Sequence, residues 1–263
     1  MQWVLTLFIS VCIALTIKIF FWEIYKIPSS SMSPTLIPGD YILVSKMSYG
    51  ARLLNVKKFK KEGIVEYIRT KGWSNIKKGD VFVFNWPDYS SLKNKNPNIY
   101  GNFVVKRCFG CPGDTINIHV ITKENEIVET SGEANNLFPF DKTLHWTVSN
   151  YGPLFVPGKG KTIVLDSLIA FHYKDVLLYE GMHSEIRNDS VFLNKIFYKK
   201  YTFKCNYYFM KGDNFYGSMD SRYWGFVPED NIVGKAVMIM FSKDPDENSF
   251  LKLKINRLFH YIK

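Results

Sequence analysis

The stretch Gly79-Asp80-Val81-Phe82-Val83-Phe84-Asn85-Trp86 places a Gly-Asp pair directly ahead of a β-prone apolar run, and the chain does this three times. Gly39-Asp40 precedes Tyr41-Ile42-Leu43-Val44-Ser45-Lys46, and Gly113-Asp114 precedes Thr115-Ile116-Asn117-Ile118-His119-Val120. Glycine accepts a positive φ and aspartate bonds its own turn, so each pair reads as a turn feeding a strand. The residues that follow are β-branched or aromatic and fit a pleated, half-buried surface. No long amphipathic helix interrupts the pattern beyond Pro28. The fold expected is therefore mainly β: an antiparallel β-sheet body over 25–115 and 206–245, with an inserted β-rich subdomain over 116–205. The insert is punctuated by Gly132, Pro139, Gly152, Pro153, Pro157, Gly158 and Gly160. Residues 88–102 are polar, carry Pro97 and Asn98, and read as an exposed loop joining two strands of one sheet.

Ahead of this body, Trp3 to Trp22 is almost continuously apolar over the length that spans a bilayer as a helix. Lys18 lies near its far end, where a lysine can snorkel, and Trp3, Trp22 and Tyr25 are placed as interfacial aromatics. A cleavable leader needs a basic n-region and small residues at its cleavage site. Only Met1 and Gln2 precede the span and FFWEIYK follows it, so residues 1–24 read as one retained transmembrane anchor.

The 263 residues are 46% hydrophobic, enough for a sizeable core and incompatible with a disordered chain. The formal charge of +10 makes nucleic acid or a phospholipid surface possible partners, and charge alone does not choose between them. Most basic residues, including Lys57 to Lys61, Lys77-Lys78, Lys93 to Lys95 and Lys199-Lys200, sit in loop-like polar surroundings and read as solvated faces. The exception is 246–263, which sets Phe250, Leu251, Leu253, Ile255, Leu258, Phe259 and Ile262 among basic residues. It reads equally as a surface helix on anionic lipid or as a segment packed on the body with a basic outer face.

His119, His145, His172, His183 and His260 are scattered without metal-ligand spacing, and neither a metal nor another cofactor is expected. Cys108 and Cys111 form the one close cysteine pair, read as structural thiols or an incidental disulfide ahead of half a zinc site. Gly158 to Thr162 lacks the spacing of a phosphate loop and reads as a turn.

Four segments carry the chemistry: IPSSSMSPTLIPGDYILVSK (27–46), GDVFVFNWP (79–87), FVVKRCFGCPGDTI (103–116) and GDNFYGSMDSRYWGFVPEDNIVGKA (212–236). On composition, the first is a juxtamembrane linker, Lys106 a strand-edge lysine and Ser218 a turn serine. In order and character, however, the four resemble the sequence boxes of bacterial type I signal peptidases, serine proteases with a Ser/Lys dyad. The resemblance implies that Ser31 is the nucleophile and Lys106 the general base. It implies that Ser29 joins the Ser31 backbone N–H in the oxyanion hole and that Ser218 orients the lysine. Arg107, Asp213, Asp220 and Arg222 would brace the site, with Arg107 and Asp213 as an ion pair. A lysine serves as base only when neutral, and burial after Phe103, Val104 and Val105 would depress its pKa.

By the same resemblance, Ile27, Pro28, Met32, Leu36 and Val105 would line the pocket for the residue before the cut. Tyr25, Ile42 and Val83 would help form the neighbouring small-residue pocket. The implied substrates are signal peptides of secretory preproteins, bound extended and cleaved after A-x-A. The implied location is the cytoplasmic membrane, single-pass, with the catalytic domain on its extracytoplasmic side, the bilayer as a partner and no nucleic acid. Phe215-Tyr216 departs from the pattern, since a basic residue usually follows Gly-Asp-Asn there, and the Cys108/Cys111 pair is no requirement of the family. Self-cleaving Ser-Lys repressors are a second enzymatic reading, opposed by the apolar anchor. A non-catalytic membrane-anchored β module is a third, opposed by the retained polar residues.

Overall fold

The computed structural model describes residues 2–54, 67–87, 89, 103–120, 136–244 and 253–263. The loop expected at 88–102 lies outside the described residues except for Tyr89, as do Lys57 to Lys61, Gly132 and 246–252.

The anchor is the helix α1 (Gln2–Thr16), which continues through a wider turn at Ile17–Phe21 to make a 20-residue apolar span with no buried residue. Its hydroxyls turn inward on the helix's own backbone: Thr6, Ser10 and Thr16 each donate to the carbonyl four residues earlier. Those bonds satisfy polar groups that hydrocarbon cannot. The helix ends at Phe21, and Trp22 opens the first strand without an intervening linker. Trp22 and Tyr25 thus belong to a strand rather than to a helix end.

The chain, anchor included, forms two compact units, 1–86, 99–107 and 230–263 in the first and 87–98 and 108–229 in the second. The insert expected at 116–205 falls inside the second unit, which also takes in the segment bearing Ser218.

In the first unit the strands are β1 (Trp22–Lys26), β2 (Asp40–Ser45), β3 (Arg52–Leu54), β4 (Tyr67–Arg69), β5 (Val81–Asn85) and β6 (Phe103–Gly110), whose end passes into the second unit. The chain's last strands, β16 (Ile232–Ser242) and β17 (His260–Tyr261), complete it. The antiparallel order is β1-β2-β16-β5-β6, with β17 on β16 and β3 paired with β4. The long strand β16 is irregular at three places, one of them beside Gly234. A Cβ at Gly234 would stand 2.6 Å from the Ser45 carbonyl oxygen, so only glycine lets these backbones approach.

The three Gly-Asp turns form as expected. Gly39, Gly79 and Gly113 take φ of +94°, +89° and +92°. In each, the aspartate N–H donates to the carbonyl three residues back, at Ile37, Lys77 and Cys111. The Asp40, Asp80 and Asp114 carboxylates accept from the amides of the same three residues. Local chemistry alone thus starts β2, β5 and the strand that follows Asp114.

Strand β5 is buried along its whole length, which explains its unbroken apolar run. Val81 and Val83 face a core with Ile27, Met32, Leu36, Ile42, Val44, Val233, Ala236 and Ile239. Phe82 meets the Tyr49 ring at 5.0 Å. Each fully buried aliphatic contributes about 1.5–3 kcal/mol.

The C-terminal segment packs on this unit. Arg257 reaches Asp40 through Nε at 2.9 Å and Nη2 at 2.5 Å, Ile262 joins the core, and β17 pairs with β16. The described part holds a 3₁₀ turn at Ile255–Arg257 and no surface helix, and backbone pairing and the Asp40 contact tie it to the body.

The second unit contains β7 (Thr115–His119), β8 (Asn150–Phe155), β9 (Thr162–Val164), β10 (Ser184–Arg187), β11 (Ser190–Leu193), β12 (Ile196–Phe197), β13 (Lys200–Thr202), β14 (Tyr207–Lys211) and β15 (Val227–Pro228). Among the described residues three short helices, α2 (Ser167–His172), α3 (Lys174–Tyr179) and α4 (Ser221–Trp224), interrupt it, and the strand-centred sequence reading missed them. Helix α2 starts where the Asp166 carboxylate accepts from the Ile169 amide at 2.7 Å, an N-cap visible in the sequence. The core is aromatic, built on Tyr151, Tyr173, Phe203, Tyr207, Phe209 and Phe226. Its phenols keep partners: Tyr151 donates to the Phe138 carbonyl and Tyr173 to that of Phe155.

Candidate active site

Between β1 and β2 the chain turns twice, with the Ser33 amide on the Ser30 carbonyl and the Leu36 amide on that of Met32, both at 2.9 Å. Met32 and Leu36, four residues apart, drop into the core at 1% and 0% exposure. These two apolar pins fix the turn and leave Ser31 beside them on its open side. Ser29 is exposed, and its Oγ lies 3.4 Å from Ser31 Oγ.

Lys106 lies on β6 opposite Phe82 of β5 and is only 4% exposed. Its Nζ stands 2.6 Å from Ser31 Oγ, across 75 residues of sequence. The serine and the lysine singled out in the sequence are therefore in direct contact.

They open onto a cavity of about 150 Å³ lined by Tyr25, Lys26, Ile27, Pro28, Ser29, Ser31, Met32, Phe103, Val104, Val105 and Lys106. Of the expected pocket residues, Tyr25, Ile27, Pro28, Met32 and Val105 line this cavity. Leu36, Ile42 and Val83 are fully buried in the core that Ile27 and Met32 share. Lys26, Phe103 and Val104 line it without having been assigned a place in either pocket. The signal for Phe103 was its position in the run leading to Lys106, and it meets Tyr25 edge-on at 5.0 Å. Burial, first, and the hydrogen bond to Glu23 push the Tyr25 phenol far above its ordinary range, so it acts only as a neutral donor.

Arg107, on the opposite face of β6 from Lys106, donates through Nη1 to the carbonyl oxygens of Gly79 and Lys263 and through Nη2 to Thr35 Oγ1. Arg257 donates to the Thr35 carbonyl at 3.0 Å. The turn carrying Ser31 is thus gripped at Thr35 by two arginines.

Ser218, Asp213, Asp220 and Arg222 belong to the second unit. Asp220 and Arg222 form a pair with both side chains fully buried, Nε to Oδ1 at 2.9 Å and Nη2 to Oδ2 at 2.8 Å. Asp220 also accepts from the Gly212 amide at 3.0 Å, and Arg222 Nη2 donates to the Phe215 carbonyl at 2.6 Å. These bonds close the loop that carries Ser218, which is 3% exposed with its hydroxyl unpartnered among the described residues. Cys108 and Cys111 are not joined by a disulfide, their sulfurs lying 3.8 Å apart.

The family model for signal peptidase, peptidase S26, matches residues 1–241. The chain belongs to the signal peptidase family. It is 31% identical to the signal peptidase I of Buchnera aphidicola subsp. Baizongia pistaciae, over 86% of this chain and 72% of that protein. It is 32% identical to that of Pseudomonas aeruginosa over 88% and 68%, and 29% identical to that of Aquifex aeolicus over 91% and 83%. This signal peptidase is a serine endopeptidase of the Ser/Lys kind, held at the membrane by its N-terminal helix.

Proposed function

We propose that Ser31 attacks the scissile carbonyl with Lys106 as general base, and that the bond cut is the one joining a signal peptide to a secretory preprotein. The observation that carries this reading is the 2.6 Å separation of Lys106 Nζ and Ser31 Oγ at a lysine 4% exposed. Burial disfavours an ammonium, and the neutral amine is the form whose lone pair can take the serine proton. As Oγ attacks, that proton passes to Nζ and then to the leaving amine. Negative charge on the carbonyl oxygen meets the Ser29 hydroxyl and the Ser31 N–H, and such preorganised donors are worth about 3–4 kcal/mol each when removed singly. Ser218 orients the lysine in this reading, and Arg107, Asp213, Asp220 and Arg222 brace the two loops.

Beside the two serines and two lysines, Ile27, Pro28, Met32, Phe103, Val104 and Val105 give the small cavity apolar walls, which supports cleavage after A-x-A. The substrate binds extended along the edge of β1 that is left unpaired among the described residues, the other edge being taken by β2. The catalytic body stands on the extracytoplasmic side of the cytoplasmic membrane. Its partners are the preprotein and the bilayer, with no nucleic acid.

The test uses full-length protein in detergent and a peptide carrying A-x-A after an apolar run. Cleavage after the second alanine is expected, abolished by Ser31→Ala and by Lys106→Ala. Full activity in either variant removes the assignment. Because the neutral lysine is the active form, kcat/KM rises with pH through an apparent pKa below the ordinary lysine value of about 10.4. A profile centred on that ordinary value points to another base.

A further inference from the structure

Lys211 closes β14, one residue before the loop that bears Ser218. Its ammonium sits 4.5 Å from the ring centre of Phe109 and 4.9 Å from that of Phe215. The Phe215 ring also receives the Arg222 guanidinium at 4.6 Å, so one ring serves two cations. An aromatic face attracts a cation, but two cations on one ring repel each other unless anions stand near. Two do. Burial, first, and then Arg222 lower the Lys211 pKa, while Asp220 and Asp213 pull it back up. Lys211 and Arg222 both set positive charge beside this loop's carboxylates, and removing Lys211 takes one of those charges away from Asp220 and Asp213.

The resemblance implies a basic residue at 215, after Gly-Asp-Asn, where this chain has a phenylalanine. The charge missing from 215 has a counterpart four residues earlier, lying against the ring that replaced it. We propose that Lys211, with Phe215 as its platform, is a positioning residue that supplies the second positive charge of the Ser218 loop and holds that loop in its working conformation. The consequence for catalysis rests on the reading of Ser218 as the group that orients Lys106.

The test takes the full-length protein in detergent through Lys211→Met, Lys211→Arg and the exchange of sites in Lys211→Met with Phe215→Arg. Lys211→Met should lower kcat about tenfold or more with KM unchanged, since a misplaced orienting group costs rate rather than binding. Lys211→Arg should retain activity, and the exchange should recover most of it, because charge at either position serves. Hydrogen exchange gives a second readout independent of catalysis: the Gly212 amide, bonded to Asp220, and the Gly217 amide, bonded to Asn214, should lose protection in Lys211→Met and regain it in the exchange. Unchanged protection in Lys211→Met overturns the proposal, as does a loss that neither Lys211→Arg nor the exchange repairs. Ser218→Ala, which leaves the cage intact, tests the underlying reading. Full activity there removes Ser218 from the site, and the exchange protection still decides on Lys211.

Discussion

Two serine-bearing loops in this peptidase are each tied by an aspartate–arginine pair, and the pairs are built oppositely. The Ser218 loop is held by Asp220 and Arg222, two residues apart and both fully buried. The Ser31 turn is held by Asp40 and Arg257, separated by 217 residues, with the aspartate fully buried and the arginine side chain 19% exposed. The first pair lets a short segment hold its own shape. The second recruits the end of the chain to finish a turn near its start, so the two loops should fail differently.

Arg222→Ala should be the most damaging change. It strands the Asp220 carboxylate in a site with no water to replace the guanidinium, at a cost of about 3–5 kcal/mol, read as a fall in the denaturant midpoint. Arg257→Ala should cost less, about 2 kcal/mol, since water can reach the vacated place and Asp40 keeps the Ile37 amide. Its distinctive effect is on rate: freeing the Thr35 carbonyl loosens the Ser31 turn, and kcat should fall in protein that remains folded. Equal destabilisation by the two substitutions, or an unchanged kcat in Arg257→Ala, breaks the contrast.

A third pair sharpens it at the low end. His172 Nε2 lies 2.8 Å from Asp141 Oδ2, 31 residues away, and that hydrogen bond, with those from Thr143, holds the Asp141 carboxyl down at about 2. A lowered folded-state pKa means its stabilisation is present above the unfolded carboxyl range, near 4, and is lost as pH falls through about 2. Asp141→Asn should therefore lower the urea midpoint slightly at pH 7 and leave it as in the parent at pH 2. The same difference at both pH values would show that the charge contributes nothing.

The contrast between the loops also marks what the sequence discloses. The Gly-Asp turns were legible because everything that makes them lies within four residues: a glycine for the positive φ and a carboxylate for the amide three positions back. The Asp220–Arg222 pair is as local, yet its members came into view only through the resemblance, as bracing residues and not as a pair. Arg257 was not legible, since nothing near 257 signals a contact at 40, and its basic neighbours left lipid and body equally open. The Ser31–Lys106 contact was in reach only through the resemblance of four ordered segments, because a serine between prolines and a lysine after valines have commoner readings. Lys26 escaped notice because charge on a strand edge says nothing about which cavity it borders, and α2 and α3 because helices of six residues leave little periodicity to detect.

The junction at Phe21 and Trp22 has a mechanical consequence. With no slack between membrane helix and sheet, and with Lys46 Nζ donating to the Lys18 carbonyl at 2.8 Å across that junction, the anchor behaves as a handle rather than a leash. A span of about 30 Å that meets a thinner bilayer must lean, and a handle welded to the edge strand leans the cleft with it. Bilayer thickness then becomes a dial on the angle and height at which Ser31 meets an arriving chain, with the enzyme's own geometry serving as the ruler.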